Sequence, residues 1–186
     1  MHGGVLCFSH FADQRLYRVD PGQAPRPITP EALDLRFADL CADARRGLLW
    51  GVREDHRADG EARNSLVALQ AQGDAEGGRV VAEGHDFYAA PRLSPDGTQL
   101  AWISWNHPDM PWDGAELWLA AVPPDGTLLG ARCIARWRGV MADELRHPVG
   151  RLKPVLHRVA VQEPPRDRLD DAERRHAAGL MRINHV

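Results

Sequence analysis

Four serines occur in the 186-residue chain: Ser9, Ser65, Ser94 and Ser104. A serine becomes an acyl-transfer nucleophile when a strand-to-helix elbow of the form Gly-x-Ser-x-Gly offers its hydroxyl to a histidine base. None of the four stands between glycines at that spacing. Ser94 falls in a turn and Ser104 in a strand, so no catalytic residue is expected. The nine histidines raise metal chemistry instead. His56, His85 and His107 each lie near a carboxylate, Asp55, Asp86 and Asp109 respectively. No His-x-His or His-Glu-x-x-His spacing occurs, so these rings are expected to hydrogen-bond to turns, with no metal and no cofactor. Trp102, Trp105, Trp112 and Trp118 cluster in sequence. They could line a peptide channel, but Trp102 and Trp118 are expected to face a core. Trp112, in the loop Met110-Pro111-Trp112-Asp113-Gly114, is the one expected to be exposed.

The composition bounds what must position such groups. Hydrophobic residues make up 44% and charged residues 26%, ordinary for a globular domain. No run of 18 apolar residues occurs, so no membrane span is expected. Met1-His2-Gly3-Gly4 has no basic region leading into an apolar stretch, so no signal peptide is expected. Cys7, Cys41 and Cys133 are odd in number and far apart, which points to a reducing cytoplasm. A net charge of −3 argues against a nucleic-acid binder. Charge is uneven: residues 1–135 hold 12 Lys+Arg and 19 Asp+Glu, a net of −7, and residues 136–186 hold 11 and 7, a net of +4.

Residues 1–135 read as short strands between turns. Apolar or alternating runs place strands over 5–9, 15–19, 27–29, 48–52, 65–69, 79–82, 100–105 and 116–122. The array also repeats. At an offset of 51 residues Phe37-Ala38 meets Tyr88-Ala89, and Leu49 meets Leu100. Val52 likewise meets Ile103, and Leu66-Val67 meets Leu117-Trp118. Arg79-Val80-Val81-Ala82 meets Arg132-Cys133-Ile134-Ala135 after a two-residue slip, and Leu16-Tyr17-Arg18-Val19 fits Leu66-Val67-Ala68-Leu69 at 50. A unit of about four strands in about 50 residues has the size of one β-propeller blade. Two full four-stranded blades are therefore predicted within residues 33–135, preceded by part of a third within residues 4–30.

Leu93-Ser94-Pro95-Asp96-Gly97 is the clearest local signal. Pro at the second turn position and Gly at the fourth specify a type I turn. The apolar strand Leu100-Ala101-Trp102-Ile103 follows, so the turn joins the first and second strands of a blade. Asp43-Ala44-Arg45-Arg46-Gly47 is a weaker version of it one unit earlier. This turn with its following strand resembles the blade repeat of TolB-type propellers and of prolyl oligopeptidases. The stretch from Gly84-His85-Asp86-Phe87-Tyr88 through Trp105-Asn106-His107-Pro108-Asp109 to Glu116-Leu117-Trp118 narrows the likeness. It resembles the N-terminal propeller of acylaminoacyl-peptidase-like members of the prolyl oligopeptidase family, and Phe8-Ser9-His10-Phe11-Ala12-Asp13 looks like an earlier blade. The resemblance covers residues 4–135.

It implies an all-β fold, a partial β-propeller over residues 1–135. It also implies a non-catalytic role: the propeller gates peptide substrates by size for an α/β-hydrolase domain, normally on the same chain, that carries the catalytic groups. This sequence shows no such domain. Residues 136–186 form a basic tail without blade period, for which a shift of reading frame is one origin. Asp167, Leu169, Ala172, Leu180 and Ile183 would allow one amphipathic helix over 167–183. The alternatives are a TolB-like module that binds a protein partner, and a truncated product without function.

Overall fold

The computed structural model describes residues 3–31 and 34–138. The expected helix over 167–183 lies outside them. Among the described residues there is no helix; the chain is all β, in three antiparallel sheets. The first sheet holds β1 (Leu6–Ser9), β2 (Leu16–Val19) and β3 (Arg26–Pro27). The second holds β4 (Leu35–Asp43), β5 (Leu48–Asp55), β6 (Arg63–Gln70) and β7 (Arg79–Ala82). The third holds β8 (Phe87–Leu93), β9 (Gln99–Trp105), β10 (Gly114–Ala121) and β11 (Leu129–Arg138). Each sheet is a meander in sequence order, which makes it one blade. β11 runs through Ala135 to Arg138.

The second sheet is sandwiched, and this explains its continuous apolar runs. Alternate residues of β5 and β6 leave on opposite faces. Leu48, Trp50, Val52, Leu66 and Ala68 meet Leu100, Trp102, Ala120 and Val122 of the third sheet and its following turn. Leu49, Val67 and Leu69 meet Leu16 and Ile28 of the first. Trp50 is fully buried, and burying a large apolar side chain contributes about 1.5–3 kcal/mol.

The repeat extends to irregularities. Antiparallel pairing slips between Ala38 and Cys41 on β4 and between Ala89 and Arg92 on β8, again 51 residues apart. Asp39 and Ala90, inside these bulges, both take positive φ, 52° and 53°. The two bulges touch: the Ala90 amide donates to Asp39 Oδ2 at 3.0 Å. A bulge re-aims the backbone and frees an amide, and here one blade satisfies the amide freed in the next.

At the end of the sheets where β4–β5 and β8–β9 turn, the Ser94-Pro95-Asp96-Gly97 turn forms as its sequence requires. The Gly97 amide donates to the Ser94 carbonyl at 2.8 Å, with Gly97 at φ +68°. Asp96 accepts from Ser94 Oγ at 2.6 Å, from the Thr98 amide at 3.0 Å and from Thr98 Oγ1 at 2.9 Å. Those bonds, the Ser94 hydroxyl first, hold its carboxyl down at about 2. Arg45 and Arg46 of the weaker turn reach across to the third sheet. Arg45 donates to the Asp96 carbonyl. Arg46 donates to the carbonyls of Pro123 at 2.9 Å and Val122 at 2.8 Å, and pairs with buried Asp43 at 2.7 Å.

Candidate functional site

The opposite end of the sheets gathers the histidines. Connections 10–15, 56–62, 83–86 and 106–113 all emerge there, and each carries one: His10, His56, His85 and His107. The blade period places them at this end, because the β1–β2, β5–β6 and β9–β10 connections are equivalent positions in successive blades. A cleft of about 900 Å³ opens among three of the loops, lined in part by Glu54, Glu61, Arg63, Glu83, His85 and His107.

The rings of His56 and His85 were expected to bond to turns; each instead faces a strand carboxylate, Glu54 and Glu116 respectively. His56 Nε2 lies 3.2 Å from Glu54 Oε2, while Asp55 is taken by Arg57 Nε at 2.9 Å and Nη2 at 2.6 Å. The Arg57 side chain is the main reason the Asp55 carboxyl sits at about 2. Asp86 accepts from the His107 amide at 2.9 Å, and its own amide donates to Asn106 Oδ1 at 2.8 Å. Asn64 Nδ2 donates to the Asp86 carbonyl at 2.6 Å. Asp86 therefore ties two loops and β6 together. His10 Nδ1 lies 2.9 Å from Asp13 Oδ1, and Asp13 Oδ2 accepts from the Tyr17 hydroxyl at 2.7 Å. That phenol leads in lowering the Asp13 carboxyl to about 2.

The densest group surrounds His85. Its Nε2 lies 3.4 Å from Glu116 Oε2, and Arg136 Nε lies 3.1 Å from Glu116 Oε1. The His85 amide donates to the Tyr88 hydroxyl at 3.2 Å. The imidazole packs edgewise on Tyr88 and on Trp118, with centroids 5.9 and 5.6 Å apart. Burial pushes the Tyr88 phenol up. A cleft of about 390 Å³ runs beside this group, walled by Trp102, Trp118, Tyr88 and Val81. Trp102 and Trp118 stack at 6.2 Å, and the Trp118 Nε1 is buried without a hydrogen-bond partner. As expected, Trp102 is buried and Trp112 is 55% exposed. Glu116 and Arg136 were not visible as a pair in sequence. The signal was register: Glu116 stands opposite Arg136 on β10 and β11, where opposite charges attract across strands.

The serines are used structurally. Ser9 Oγ donates to the Phe37 carbonyl at 2.6 Å, and Ser94 Oγ donates to Asp96. Ser65 and Ser104 are buried with hydroxyls that bond to nothing. Among the described residues no serine hydroxyl bonds to a histidine, and no group of three or more His, Cys, Asp or Glu stands together to hold a metal ion. What the end does offer is a rim of charges with exposed Phe11, Met110 and Trp112, a surface suited to contact.

No family model and no curated protein matches the chain. Solved structures do. A puromycin-hydrolyzing peptidase of Mycobacterium tuberculosis is 38% identical over 74% of this chain, with a TM-score of 0.64. A puromycin hydrolase is 38% identical over 73% of it, also at 0.64. A serine-to-alanine mutant of puromycin hydrolase, complexed with PGG, is 39% identical over the same share, again at 0.64. In each case the match spans 23% of the other chain, so this chain covers about a quarter of those proteins' length.

Proposed function

We propose, from the premise that this chain carries propeller blades of the prolyl oligopeptidase family of peptidases, that those blades are a non-catalytic, substrate-gating part of such an enzyme. The single observation that carries this reading is the 38% identity to puromycin-hydrolyzing peptidases over residues that fold as blades. The chemistry belongs to an α/β-hydrolase domain that would sit against the propeller. The propeller's part is steric: it admits small amides and peptides and keeps folded chains from the nucleophile. Acyl transfer needs an activated nucleophile, a base and an oxyanion hole held together. The Ser9 hydroxyl is engaged by the Phe37 carbonyl and that of Ser94 by Asp96, and Ser65 and Ser104 are buried, which supports the non-catalytic reading. The three cysteines are unpaired, in keeping with our placing the protein in a reducing cytoplasm.

The test is hydrolysis by the purified chain. Puromycin and short peptide amides should be left uncleaved above the uncatalysed rate. Cleavage that disappears when one of Ser9, Ser65, Ser94 or Ser104 is replaced by Ala, with the fold intact, would overturn the reading.

A further inference from the structure

Four aspartates in the chain are followed by glycine: Asp59-Gly60, Asp96-Gly97, Asp113-Gly114 and Asp125-Gly126. Such a pair is chemically labile, because the glycine nitrogen, with no Cβ beside it, is open to bond with the carboxyl carbon of the aspartate before it. The reaction needs a free amide, a free carboxyl and a backbone able to turn the two together. The fold meets these needs at one pair and denies them at the other three.

In those three the nitrogen is already engaged. The Gly97 amide donates to the Ser94 carbonyl at 2.8 Å, the Gly126 amide to the Pro123 carbonyl at 3.0 Å and the Gly114 amide to the Met110 carbonyl at 3.0 Å. Two of the carboxyls are engaged as well. Asp96 accepts from Ser94 and Thr98, and Asp125 accepts from the Thr127 amide and hydroxyl. The Ser94 hydroxyl leads in holding the Asp96 carboxyl down, and the Thr127 amide leads at Asp125. A carboxyl kept ionised has no hydroxyl to release as water. Space is short too. A Cβ would lie 2.6 Å from Leu48 Cδ1 at Gly126 and 3.4 Å from Arg45 Cδ at Gly97, and at Gly114 it would run into the Asp109 carboxylate. Gly114 is also fixed in β10, opposite Arg138.

Asp59-Gly60 differs in each respect. It lies in the connection 56–62, which joins β5 to β6 above the register pair Asp55–Arg63. Both residues are exposed. Among the described residues nothing accepts from the Gly60 amide and nothing donates to the Asp59 carboxyl; the bonds of this loop are made by Arg57 and Asp55. Gly60 takes a φ of +100°, and nothing lies within 4 Å of the place a Cβ would occupy.

We propose that Asp59-Gly60 is a site of spontaneous backbone modification in the folded protein, passing through a cyclic imide to isoaspartate. The Gly60 nitrogen bonds to Asp59 Cγ. Its proton and the carboxyl hydroxyl leave together as water, and the imide closes. Water then reopens the ring. Addition at Cγ restores aspartate. Addition at the main-chain carbonyl of Asp59 breaks that carbon's bond to nitrogen, and the backbone then runs through Cβ and Cγ. The water lost in closing is regained in opening, so nothing else is consumed. The product lengthens the loop by a methylene and moves its carboxylate. Glu61 follows in the same loop and lines the cleft of about 900 Å³ with Glu54 and Arg63, so the change falls on that cleft's rim.

The experiment ages the full wild-type chain in mildly acidic buffer made with heavy-oxygen water, once folded and once in urea. Digestion and fragment mass spectrometry then locate isoaspartate, and each ring opening leaves one heavy oxygen at the site. In the folded chain isoaspartate should form at Asp59 at least about tenfold faster than at Asp96, Asp113 or Asp125, equivalent to about 1.4 kcal/mol of cost for opening the turns. In urea, where the turns are lost, the other three should catch up with it. Equal rates at all four sites in the folded chain would overturn the proposal. So would an Asp59 that stays unmodified while folded, or one that keeps its full advantage in urea, since the fold would then not be what selects it.

Discussion

Replacing Arg46 by Ala should be among the most damaging changes in the chain, and its cost can be worked from the contacts. Asp43 is 1% exposed, and its carboxylate takes its shortest bond from Arg46 Nη1 at 2.7 Å. The Trp50 indole at 3.4 Å and the Arg46 amide at 3.3 Å are its remaining donors. The same guanidinium serves the Val122 and Pro123 carbonyls, so it holds the second sheet to the third. Removing one partner of a buried ion pair costs about 3–5 kcal/mol, because the other charge stays behind. The two carbonyls lose their donors in the same event, so the losses overlap and the total stays near the upper end of that range. For a folded unit of this size each kcal/mol moves the melting temperature by about 3–4 °C, so the expected fall is about 10–20 °C. Thermal and guanidinium unfolding followed by circular dichroism measure it. Arg46→Lys, which keeps the charge but not the fork, should lose less. Replacing Asp43 by Leu together with Arg46 by Met should recover much of the loss, since no charge is then buried alone. A loss for Arg46→Ala below about 0.5 kcal/mol, typical of an unstructured surface site, would refute the reasoning.

Gly126 sits at φ +72°, and a Cβ there would lie 2.6 Å from Leu48 Cδ1. Gly126→Ala should therefore cost about 2–3 kcal/mol in urea unfolding, against about 1 kcal/mol for Gly22→Ala, where φ is +73° and nothing lies within 4 Å. Asp13, Asp55 and Asp96 are each held at about 2 by hydrogen bonds. A depressed carboxyl stabilises the fold above its unfolded value, near 4, and that contribution is lost as pH falls through about 2. Melting temperature should thus drop between pH 4 and 2, and Asp96→Asn should flatten that limb; an unchanged limb would count against the turn's role. Because the Trp137 indole donates to the Trp112 carbonyl at 2.9 Å and Arg136 pairs with Glu116, a chain ending at Ala135 should be less stable than one ending at Arg138 by about 1–2 kcal/mol, the scale of a half-buried aromatic. Equal stability of the two would place Trp137 outside the fold.

Much of this architecture could be read from the residues. Sandwiched strands declare themselves as apolar runs, which is why β5, β6, β9 and β10 were predicted close to their observed bounds. Ser-Pro-Asp-Gly fixed the β8–β9 turn because each residue there has one conformational task. The inner strands β4 and β8 were legible only through the repeat. Each is interrupted by a bulge, so neither shows a clean alternation. Pro123-Pro124-Asp125-Gly126-Thr127 builds the same aspartate-centred turn, with Asp125 accepting from the Thr127 amide at 3.0 Å and hydroxyl at 2.8 Å. Its Pro124-Asp125-Gly126-Thr127 repeats Pro95-Asp96-Gly97-Thr98 residue for residue. The histidine partners were beyond sequence reasoning. Glu54 and Glu116 reach their rings through strand register and loop path, whereas the sequence led us to expect bonds to turns. Arg53 is a similar case, a charged side chain 6% exposed whose Nη1 donates to the Gly77 and Gly78 carbonyls.

We have proposed that residues 3–31 and 34–138 are blades of a peptidase propeller and carry none of its chemistry. The most direct measurement exchanges them for the aligned quarter of puromycin hydrolase and follows puromycin hydrolysis by the hybrid. The hybrid should fold and keep kcat/KM within about tenfold of the parent, a change of about 1.4 kcal/mol in transition-state stabilisation. A hybrid that folds and melts cooperatively yet has lost hydrolysis altogether would contradict it.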